Sequence, residues 1–256
     1  PNLQNIPVRS PLGREMRKFF VARDGYVLVD ADYSQIELRV LAHISGDRNM
    51  IKAFNDNTDI HTVTASEVFD MPPQLVTPIM RSRAKAVNFG IVYGIGAFSL
   101  AKDIGVSRSE ADEYIKGYLR HYSGVDKYMH DVVEKAKKDG YAETMFARRR
   151  YLPELTASNA NTRAFGERVA RNMPIQGTAA DIVKIAMIRV YERLERENLA
   201  AKLIMQVHDE LIVEAPENEK ERVSALLKEE MENAVKLSVA LTADVHSGRT
   251  WYDAKG

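Results

Sequence analysis

The chain has 256 residues, enough to bury a sizeable core in one large domain or two smaller ones. It carries 36 basic and 36 acidic residues, so its zero net charge gives no global sign of a nucleic-acid partner, and such a claim must rest on local patches. The absence of cysteine excludes disulfides and thiolate metal sites and fits a reducing cytoplasm. No run of 18 apolar residues occurs, so no membrane span is predicted. The first residue is Pro1 rather than Met, which suggests a trimmed fragment.

A β-type run from Tyr26 to Asp32 is the first predicted strand, and it ends in a carboxylate. Ser34 is predicted to cap the helix that follows, and Glu37 stands at the spacing of a capping box. Glu37 therefore has a structural explanation as well as a functional one. Further on, His61 lies in a polar region with short helices. A lone histidine of this kind is more often structural than in contact with a ligand.

The next helix is predicted to start with Thr77 as cap and Pro78 in its first position, and to end just before Gly94. Cations and then aromatic residues recur every four positions along it and form one stripe: Arg81, Lys85, Phe89 and Tyr93. Cations near a helix N-terminus oppose the helix dipole, so they need another reason to be there. A triphosphate beside the cations and a base near the aromatics would supply one. The alternative is a solvated amphipathic helix.

The middle of the chain is predicted to be helical from Ser107, which forms a capping box with Glu110, to Gly140. Residues 141–152 are predicted to form a hairpin or ribbon. This ribbon carries a basic cluster, Arg148–Arg150, which is either a solvated patch or a contact to a nucleic-acid backbone.

A helix over residues 161–172 is predicted to break at Pro174, and a long helix follows to about Asn198. Three polar side chains approach this junction from one side: Arg168, Asn172 and Gln176. Such groups could read base edges or the minor groove, or could merely cap helix ends.

Two short apolar runs between Leu203 and Glu214 flank the charged centre His208-Asp209-Glu210 and are predicted to pair as a hairpin. Hairpin turns are polar in any case, so the charged residues alone do not distinguish a functional site from an ordinary turn. However, Asp32 also ends a predicted strand, and two strand-end carboxylates could meet across one sheet. Mg²⁺ is usually held by one or two such carboxylates together with substrate phosphates. A helix over 217–237 and a strand over 239–245 complete the prediction.

Three stretches carry a resemblance to a known family. Residues 32–39, Asp-Tyr-Ser-Gln-Ile-Glu-Leu-Arg, resemble motif A of the family A DNA polymerases, the bacterial DNA polymerase I type. The stripe from Arg81 to Gly94 is similar to motif B, and Val207–Glu210 is similar to motif C. The motifs occur in the family's order, and residues 2–7 and 176–181 also resemble it. One departure is at the start of motif B, where Arg81 is followed by Ser82 rather than by a second arginine.

The resemblance implies an α+β fold, the right-hand polymerase fold with an antiparallel-sheet palm and a mostly helical fingers subdomain. It assigns residues 1–46 and 151–256 to the palm and residues 47–150 to the fingers. The thumb and any exonuclease domain would lie upstream of Pro1 and are expected to be absent.

The resemblance also implies a site for each part of the reaction. Its catalytic residues would be Asp32, Asp209, Glu210 and Lys85, with two Mg²⁺ ions held by Asp32, Asp209 and the backbone carbonyl of Tyr33. The residues implied for dNTP binding are Arg81, Lys85, Phe89, Tyr93, His61, Gln35, Glu37 and Arg39. Those implied along the primer–template are Asn2, Gln4, Arg9, Arg168, Asn172, Gln176 and His208.

The implied function is transfer of a deoxynucleotide from dNTP to a primer 3′-hydroxyl, with primer–template DNA and dNTPs as partners. A cytoplasmic monomer without membrane contact is expected, and a chain without a thumb should act weakly or distributively. A two-metal phosphodiesterase leaves the stripe unexplained, and a non-catalytic nucleic-acid-binding module leaves Asp32 and Asp209 unexplained. A single-subunit RNA polymerase is a nearer rival, against which Glu37 and Phe89 argue.

Overall fold

The structure is a computed structural model that describes residues 5–6 and 11–255. Asn2, Gln4 and Arg9, which the sequence predicts along a primer–template, therefore lie outside the described residues. The chain divides into two compact units. The sheet unit contains the residues up to Ile36, Ala179–Lys236 and the residues from Leu241, and the helical unit contains Glu37–Thr178 and Leu237–Ala240. The assignment of palm and fingers by residue number stays a prediction.

The elements follow one another along the chain with short connections. The helices are α1 (Pro11–Met16), α2 (Ile36–Ser45), α3 (Arg48–Asn55), α4 (Ile60–Val68), α5 (Pro78–Val92), α6 (Ala97–Ile104), α7 (Arg108–His121), α8 (Ser123–Asp139), α9 (Ala160–Arg196) and α10 (Lys220–Glu232). The strands are β1 (Tyr26–Tyr33), β2 (Tyr141–Glu143), β3 (Arg149–Tyr151), β4 (Lys202–Val207), β5 (Glu210–Pro216) and β6 (Ala243–Gly248). None of the helices in the described part of the chain combines the length and the hydropathy needed to span a membrane.

The sheet unit is built on an antiparallel sheet with the strand order β4-β5-β1-β6. Strand β1 is central, and Val29 and Ala31 on one of its faces are completely buried. Helix α10 packs against β1, β5 and β6 through an apolar side that includes Val223 and Leu227. The predicted hairpin of β4 and β5 is confirmed, and so is the α+β fold class.

Helix α5 confirms the predicted start and end signals. The Thr77 side chain accepts a hydrogen bond from the backbone N–H of Met80, and Pro78 occupies the first turn. Gly94 follows the helix with φ 67°, a left-handed conformation that glycine adopts at little cost. The capping box of Ser107 and Glu110 at the start of α7 is present too. The ends of α5 and the start of α7 thus follow their local sequence signals.

The predicted break at Pro174 is wrong, because α9 runs without interruption from Ala160 to Arg196. Proline removes one backbone donor and disfavours a helix interior by about 3 kcal/mol. Pro174 itself is buried, and its neighbours Ala170 and Ile175 are completely buried. Burial of this apolar side therefore outweighs the local cost of the proline.

Two further boundaries differ from the sequence prediction. Helix α2 starts only at Ile36, because Gln35 has a left-handed φ of 55°, so Ser34 is not its cap and Glu37 is not in a capping box. The last strand is β6 rather than a run from residue 239. Val239 and Leu241 are buried but lie outside the strand, so their alternation reflects burial and not sheet pairing.

Candidate functional site

The sheet unit brings together a carboxylate cluster that consists of Asp30, Asp32, Asp209 and Glu210. Asp30 and Asp32 alternate along β1 and share one face, and Asp32 lies opposite Glu210 in the antiparallel register of β1 and β5. The backbone N–H of Tyr33 donates to the carbonyl of Asp209 over 3.2 Å. The structure therefore places Asp32 and Asp209 together, as the strand-end prediction required.

The carboxylates of this cluster repel one another. Burial raises the pKa of Asp209 to about 6, and the charge of Asp32 adds to the shift. Burial likewise raises the pKa of Asp30 to about 7, with Glu210 as the second cause. The Oδ2 atom of Asp30 and the Oδ1 atom of Asp32 are buried without a hydrogen-bond partner among the described residues.

Two residues near the end of the sequence complete the surroundings of the cluster. The Nζ atom of Lys255 lies 2.8 Å from Oδ2 of Asp32 and also donates to Oε2 of Glu210. The indole N–H of Trp251 donates to Oε1 of Glu210 over 3.0 Å. The sequence prediction missed Lys255, Trp251 and Asp30. The period-two alternation with Asp32 could have revealed Asp30, whereas no local signal identifies a lysine 223 positions away from its partner.

The carboxylate cluster fits a hard divalent cation. Its donors are carboxylate oxygens, which Mg²⁺ prefers, and the unpartnered Oδ1 of Asp32 is one available ligand. No set of three or more His, Asp or Glu side chains forms a ready metal cage within the part of the chain that the structure describes. Mg²⁺ rarely uses such a cage, because it keeps several waters and takes one or two carboxylates. Asp32 and Asp209 are the residues that could hold it.

The stripe of the helical unit begins with two exposed cations, Arg81 and Lys85. The Nε and Nη2 atoms of Arg81 donate to the two carboxylate oxygens of Asp59, the second over 3.2 Å. Burial works to raise the pKa of Asp59, but the hydrogen bonds from Arg81 and Thr62 outweigh it and lower that pKa to about 2. Asp59 also caps α4 by accepting from the backbone N–H of His61. Arg81 thus already has an anionic partner, which the sequence prediction missed.

The aromatic end of the stripe forms a stacked pair. The rings of Phe89 and Tyr93 lie 6.5 Å apart at 19°, and the hydroxyl of Tyr93 donates to Oε2 of Glu37 over 2.9 Å. Burial raises the pKa of the Glu37 carboxyl, and the bond from Tyr93 opposes that shift. The structure therefore connects a residue of motif A with the aromatic end of motif B.

His61 is 2% exposed and belongs to a buried hydrogen-bond network. Its Nδ1 atom lies 3.0 Å from the Asn88 amide nitrogen, and the Thr64 hydroxyl donates to the amide oxygen of the same asparagine. The pKa of His61 is lowered to about 4, mainly by burial; the charges of Arg81 and Lys85 act in the same direction, and the charge of Asp59 opposes them. The ring is therefore neutral and accepts from Asn88, which leaves its own proton on Nε2.

Three other predicted residues have distinct local settings. Arg39 is buried, donates to the carbonyl of Ala240 over 2.6 Å and lies 4.7 Å from the Phe54 ring. Gln35 and His208 both have left-handed backbones, with φ 55° and 52°. His208 is exposed in the turn between β4 and β5, next to Asp209.

Arg168, Asn172 and Gln176 recur every four residues along α9 and so share one side of it. The side chain of Arg168 packs closely on Gly94. A Cβ atom added to Gly94 would lie 3.2 Å from the Cγ atom of Arg168. The Oδ1 atom of Asn172 is buried and has no partner among the described residues. In the predicted basic ribbon, Arg149 is paired with Glu143 over 2.7 Å, so part of its charge is already neutralised.

Comparison with known proteins agrees with these motifs. The family model of DNA polymerase family A matches residues 1–253. The chain is 54% identical to DNA polymerase I of Caldicellulosiruptor bescii over 255 residues and 53% identical to DNA polymerase I of Bacillus subtilis over 256 residues. It covers 30% and 29% of those proteins, so it spans about a third of the length of these relatives. A solved structure of the polymerase domain of Pol1 from M. smegmatis, in complex with DNA primer-template and dNTP, superposes on it with a TM-score of 0.95. That structure is 46% identical, and the match covers 100% of this chain and 45% of the other.

Proposed function

Because the chain belongs to DNA polymerase family A, we propose that it catalyses template-directed transfer of a deoxynucleotide from a dNTP to a primer 3′-hydroxyl. The observation that carries the proposal is the pair of Asp32 and Asp209 in one partly buried, mutually repulsive cluster. Such a cluster is unfavourable unless positive charge compensates it. Metal ions bound for the transfer of a nucleotide would bring this positive charge to the carboxylate cluster.

Asp32 and Asp209, with the backbone carbonyl of Tyr33, would hold two Mg²⁺ ions. When bound, the ions would supply activation of the primer 3′-hydroxyl and charge stabilisation of the leaving pyrophosphate. Asp32 lies on β1, and Asp209 lies in the tight turn that joins the paired strands β4 and β5, so the sheet fixes the position of both ligands. Glu210 would support the site from the side, where Trp251 and Lys255 fix its two oxygens.

Arg81 and Lys85 would bind the triphosphate, with Lys85 neutralising or protonating the leaving group. Arg81 would have to exchange Asp59 for a phosphate oxygen. We further assign Arg39, His61 and Gln35 to the surroundings of the nucleotide, with His61 acting as a neutral donor through Nε2.

Phe89 and Tyr93 would flank the nascent base pair, and Glu37 would exclude a ribose 2′-hydroxyl. The hydrogen bond from Tyr93 supports this role, because it fixes the carboxylate of Glu37 in one orientation. Along the primer–template we place Arg168, Asn172, Gln176 and His208. All of these residues come from one chain, so we propose that it acts as a monomer, and we propose a cytoplasmic location.

The 256 residues alone carry no net charge, whereas the proposed substrate is a polyanion. Phosphate contacts dominate the affinity of protein–DNA complexes and make it dependent on salt. Arg149 is paired with Glu143, and Arg163 uses one guanidinium nitrogen on the carbonyls of Ala157 and Ser158, so some of the donors that could contact phosphates are already occupied. We therefore propose weak binding and distributive extension by these residues alone.

A gel assay with a labelled primer on a longer template separates the candidate functions. A polymerase lengthens the primer only when Mg²⁺ and dNTPs are present, a phosphodiesterase shortens it, and a binding module leaves it unchanged. Ribonucleotides in place of dNTPs separate an RNA polymerase, which would prefer them. In the same assay Glu37→Ala should admit ribonucleotides, and Phe89→Tyr should favour dideoxynucleotides. Shortening of the primer, or unchanged sugar selection by both variants, would contradict the proposal.

A further inference from the structure

Lys255 occupies an unusual place among the carboxylates of the sheet unit. Its Nζ atom contacts Asp32 and Glu210 directly and lies 4.0 Å from Oδ2 of Asp30. Its side chain is 26% exposed, so the ammonium is largely withdrawn from water. Withdrawing a lysine ammonium from water is costly unless the partners compensate for it.

The chain around Lys255 holds the ammonium in this position. Lys255 lies in a short 3₁₀ turn, Asp253–Lys255, which follows the completely buried Trp251. The backbone N–H and hydroxyl of Thr250 donate to Oδ2 of Asp253. The turn also packs tightly on β6, where a Cβ added to Gly248 would lie 2.4 Å from the Cβ atom of Asp253. The packing of this turn on β6 therefore sets the position of the lysine.

The charges explain why a lysine belongs there. The ammonium lies within 4.0 Å of carboxylate oxygens of Asp30, Asp32 and Glu210, and carboxylates that come so close in a partly buried place need a counter-charge. Lys255 supplies one positive charge and three N–H donors, of which one donates to Asp32 and one to Glu210. However, Asp32 is also a proposed ligand of Mg²⁺, and two cations that share one carboxylate repel each other.

We propose that Lys255 is the resident counter-charge of the carboxylate cluster, which positions Asp32 and Glu210 before a divalent cation binds and competes with that cation for Asp32. This inference rests on the proposed metal site. Lys255 is a positioning residue that sets how tightly the metal binds. The competition determines the direction of the effect. A variant with a neutral side chain of similar length at position 255 should bind the metal more tightly, and it should be less stable in the absence of metal.

Mn²⁺ binding to the full chain tests the proposal without measuring activity. Free Mn²⁺ is followed by electron paramagnetic resonance during titration of the wild type, Lys255→Met and Lys255→Arg. Lys255→Met should bind Mn²⁺ about tenfold more tightly than the wild type, because a nearby positive charge is gone. Lys255→Arg keeps the charge and should stay close to the wild type. In EDTA, Lys255→Met should also unfold at a lower temperature.

Two matched variants make the result decisive. Lys228→Met removes an exposed lysine of α10 and should change neither affinity nor stability. Asp32→Asn should weaken Mn²⁺ binding if the metal site is where we propose. Unchanged or weaker binding by Lys255→Met, while Asp32→Asn loses binding, would overturn the role of Lys255 and leave the metal site standing. Wild-type binding by Asp32→Asn would instead show that the metal site itself is wrong. If Lys255→Met does not fold in EDTA, Lys255→Gln, which keeps a hydrogen-bond donor, gives the same comparison.

Discussion

The carboxylate cluster of the sheet unit and the stripe of the helical unit differ in their electrostatics: like charges meet in the cluster, and opposite charges are paired at the start of the stripe. In the cluster, like charges lie together in a partly buried place, and burial and repulsion raise the pKa values of Asp30 and Asp209 to about 7 and about 6. In the stripe, opposite charges are already paired, and the pairing with Arg81 lowers the pKa of Asp59 to about 2. In the first site several carboxylates share the single ammonium of Lys255, so negative charge is in excess, whereas in the second site Arg81 is already paired with Asp59.

This difference determines what a ligand must do at each site. A cation that enters the cluster relieves repulsion, so binding and local stability should increase together. A triphosphate that reaches Arg81 must replace Asp59, so only the difference between two ionic contacts is available for binding. Substitutions should therefore affect function strongly at the cluster and more weakly at the stripe.

The largest effect is expected for Asp209→Asn. Loss of a metal ligand should lower the single-turnover rate of primer extension by on the order of a thousandfold, because charge stabilisation of the transition state is lost. In EDTA the unfolding temperature should stay the same or rise, because burial and Asp32 disfavour the charged Asp209. Glu221→Gln, with a side chain that is 90% exposed, is the control in the same unit. Near-normal extension by Asp209→Asn would remove the cluster from catalysis.

The second effect is a dependence of stability on pH from His61. Its pKa falls from 6.5 to about 4 on folding, so the unfolded chain binds more protons between these values. The contribution of neutral His61 to the free energy of unfolding is fully present above pH 6.5 and is lost as the pH falls through about 4. Between pH 7 and pH 4 the wild type should lose about 3 kcal/mol more free energy of unfolding than His61→Gln.

Urea unfolding at the two pH values measures this difference. His130→Gln, which replaces a histidine whose side chain is 76% exposed, should behave like the wild type. Equal pH dependence of His61→Gln and the wild type would mean that the ring is not buried in its neutral form.

A smaller effect is expected for Asp59→Asn, which keeps a helix cap but removes the charge that holds Arg81. The dNTP dissociation constant should fall by no more than about fivefold, since exposed ion pairs contribute at most about 1 kcal/mol. Titration of dNTP in the presence of primer–template measures it, with Arg81→Ala as the variant that should bind less tightly. Weaker binding by both variants would show that Asp59 orients Arg81 rather than competing for it.

The smallest effect concerns a strained residue that belongs to neither site. Ala147, between β2 and β3, has φ 62°, a left-handed conformation that costs a non-glycine residue about 1 kcal/mol. Ala147→Gly should raise the free energy of unfolding by roughly 0.5 kcal/mol, because part of the gain is offset by entropy of the unfolded chain. Ala157→Gly, at φ −63°, should instead destabilise the chain. Destabilisation by both would show that the backbone at Ala147 is not strained.

The sequence predicted those features that depend on local signals. Strand β1, the hairpin of β4 and β5, and α5 with Thr77 and Gly94 are of this kind. The prediction from sequence failed where contacts between residues distant in sequence determine the structure. Pro174 remains helical because its surroundings are buried, and Lys255 reaches Asp32 across 223 positions of sequence.

The same limit applied to both sites. The motif residues could be identified from the sequence, but the residues that hold them in place could not. Asp59, Asn88 and Trp251 carry no motif of their own, and each acts through a contact to a residue distant in sequence. Such partners can be found only once the fold brings them together.

The most direct measurement is an anomalous difference map from crystals of the chain soaked with Mn²⁺, primer–template and a non-hydrolysable dNTP. We predict anomalous peaks within coordination distance of the carboxylates of Asp32 and Asp209, and loss of these peaks in Asp32→Asn. Peaks that lie elsewhere, or that persist unchanged in Asp32→Asn, would contradict the assignment of the carboxylate cluster as the metal site.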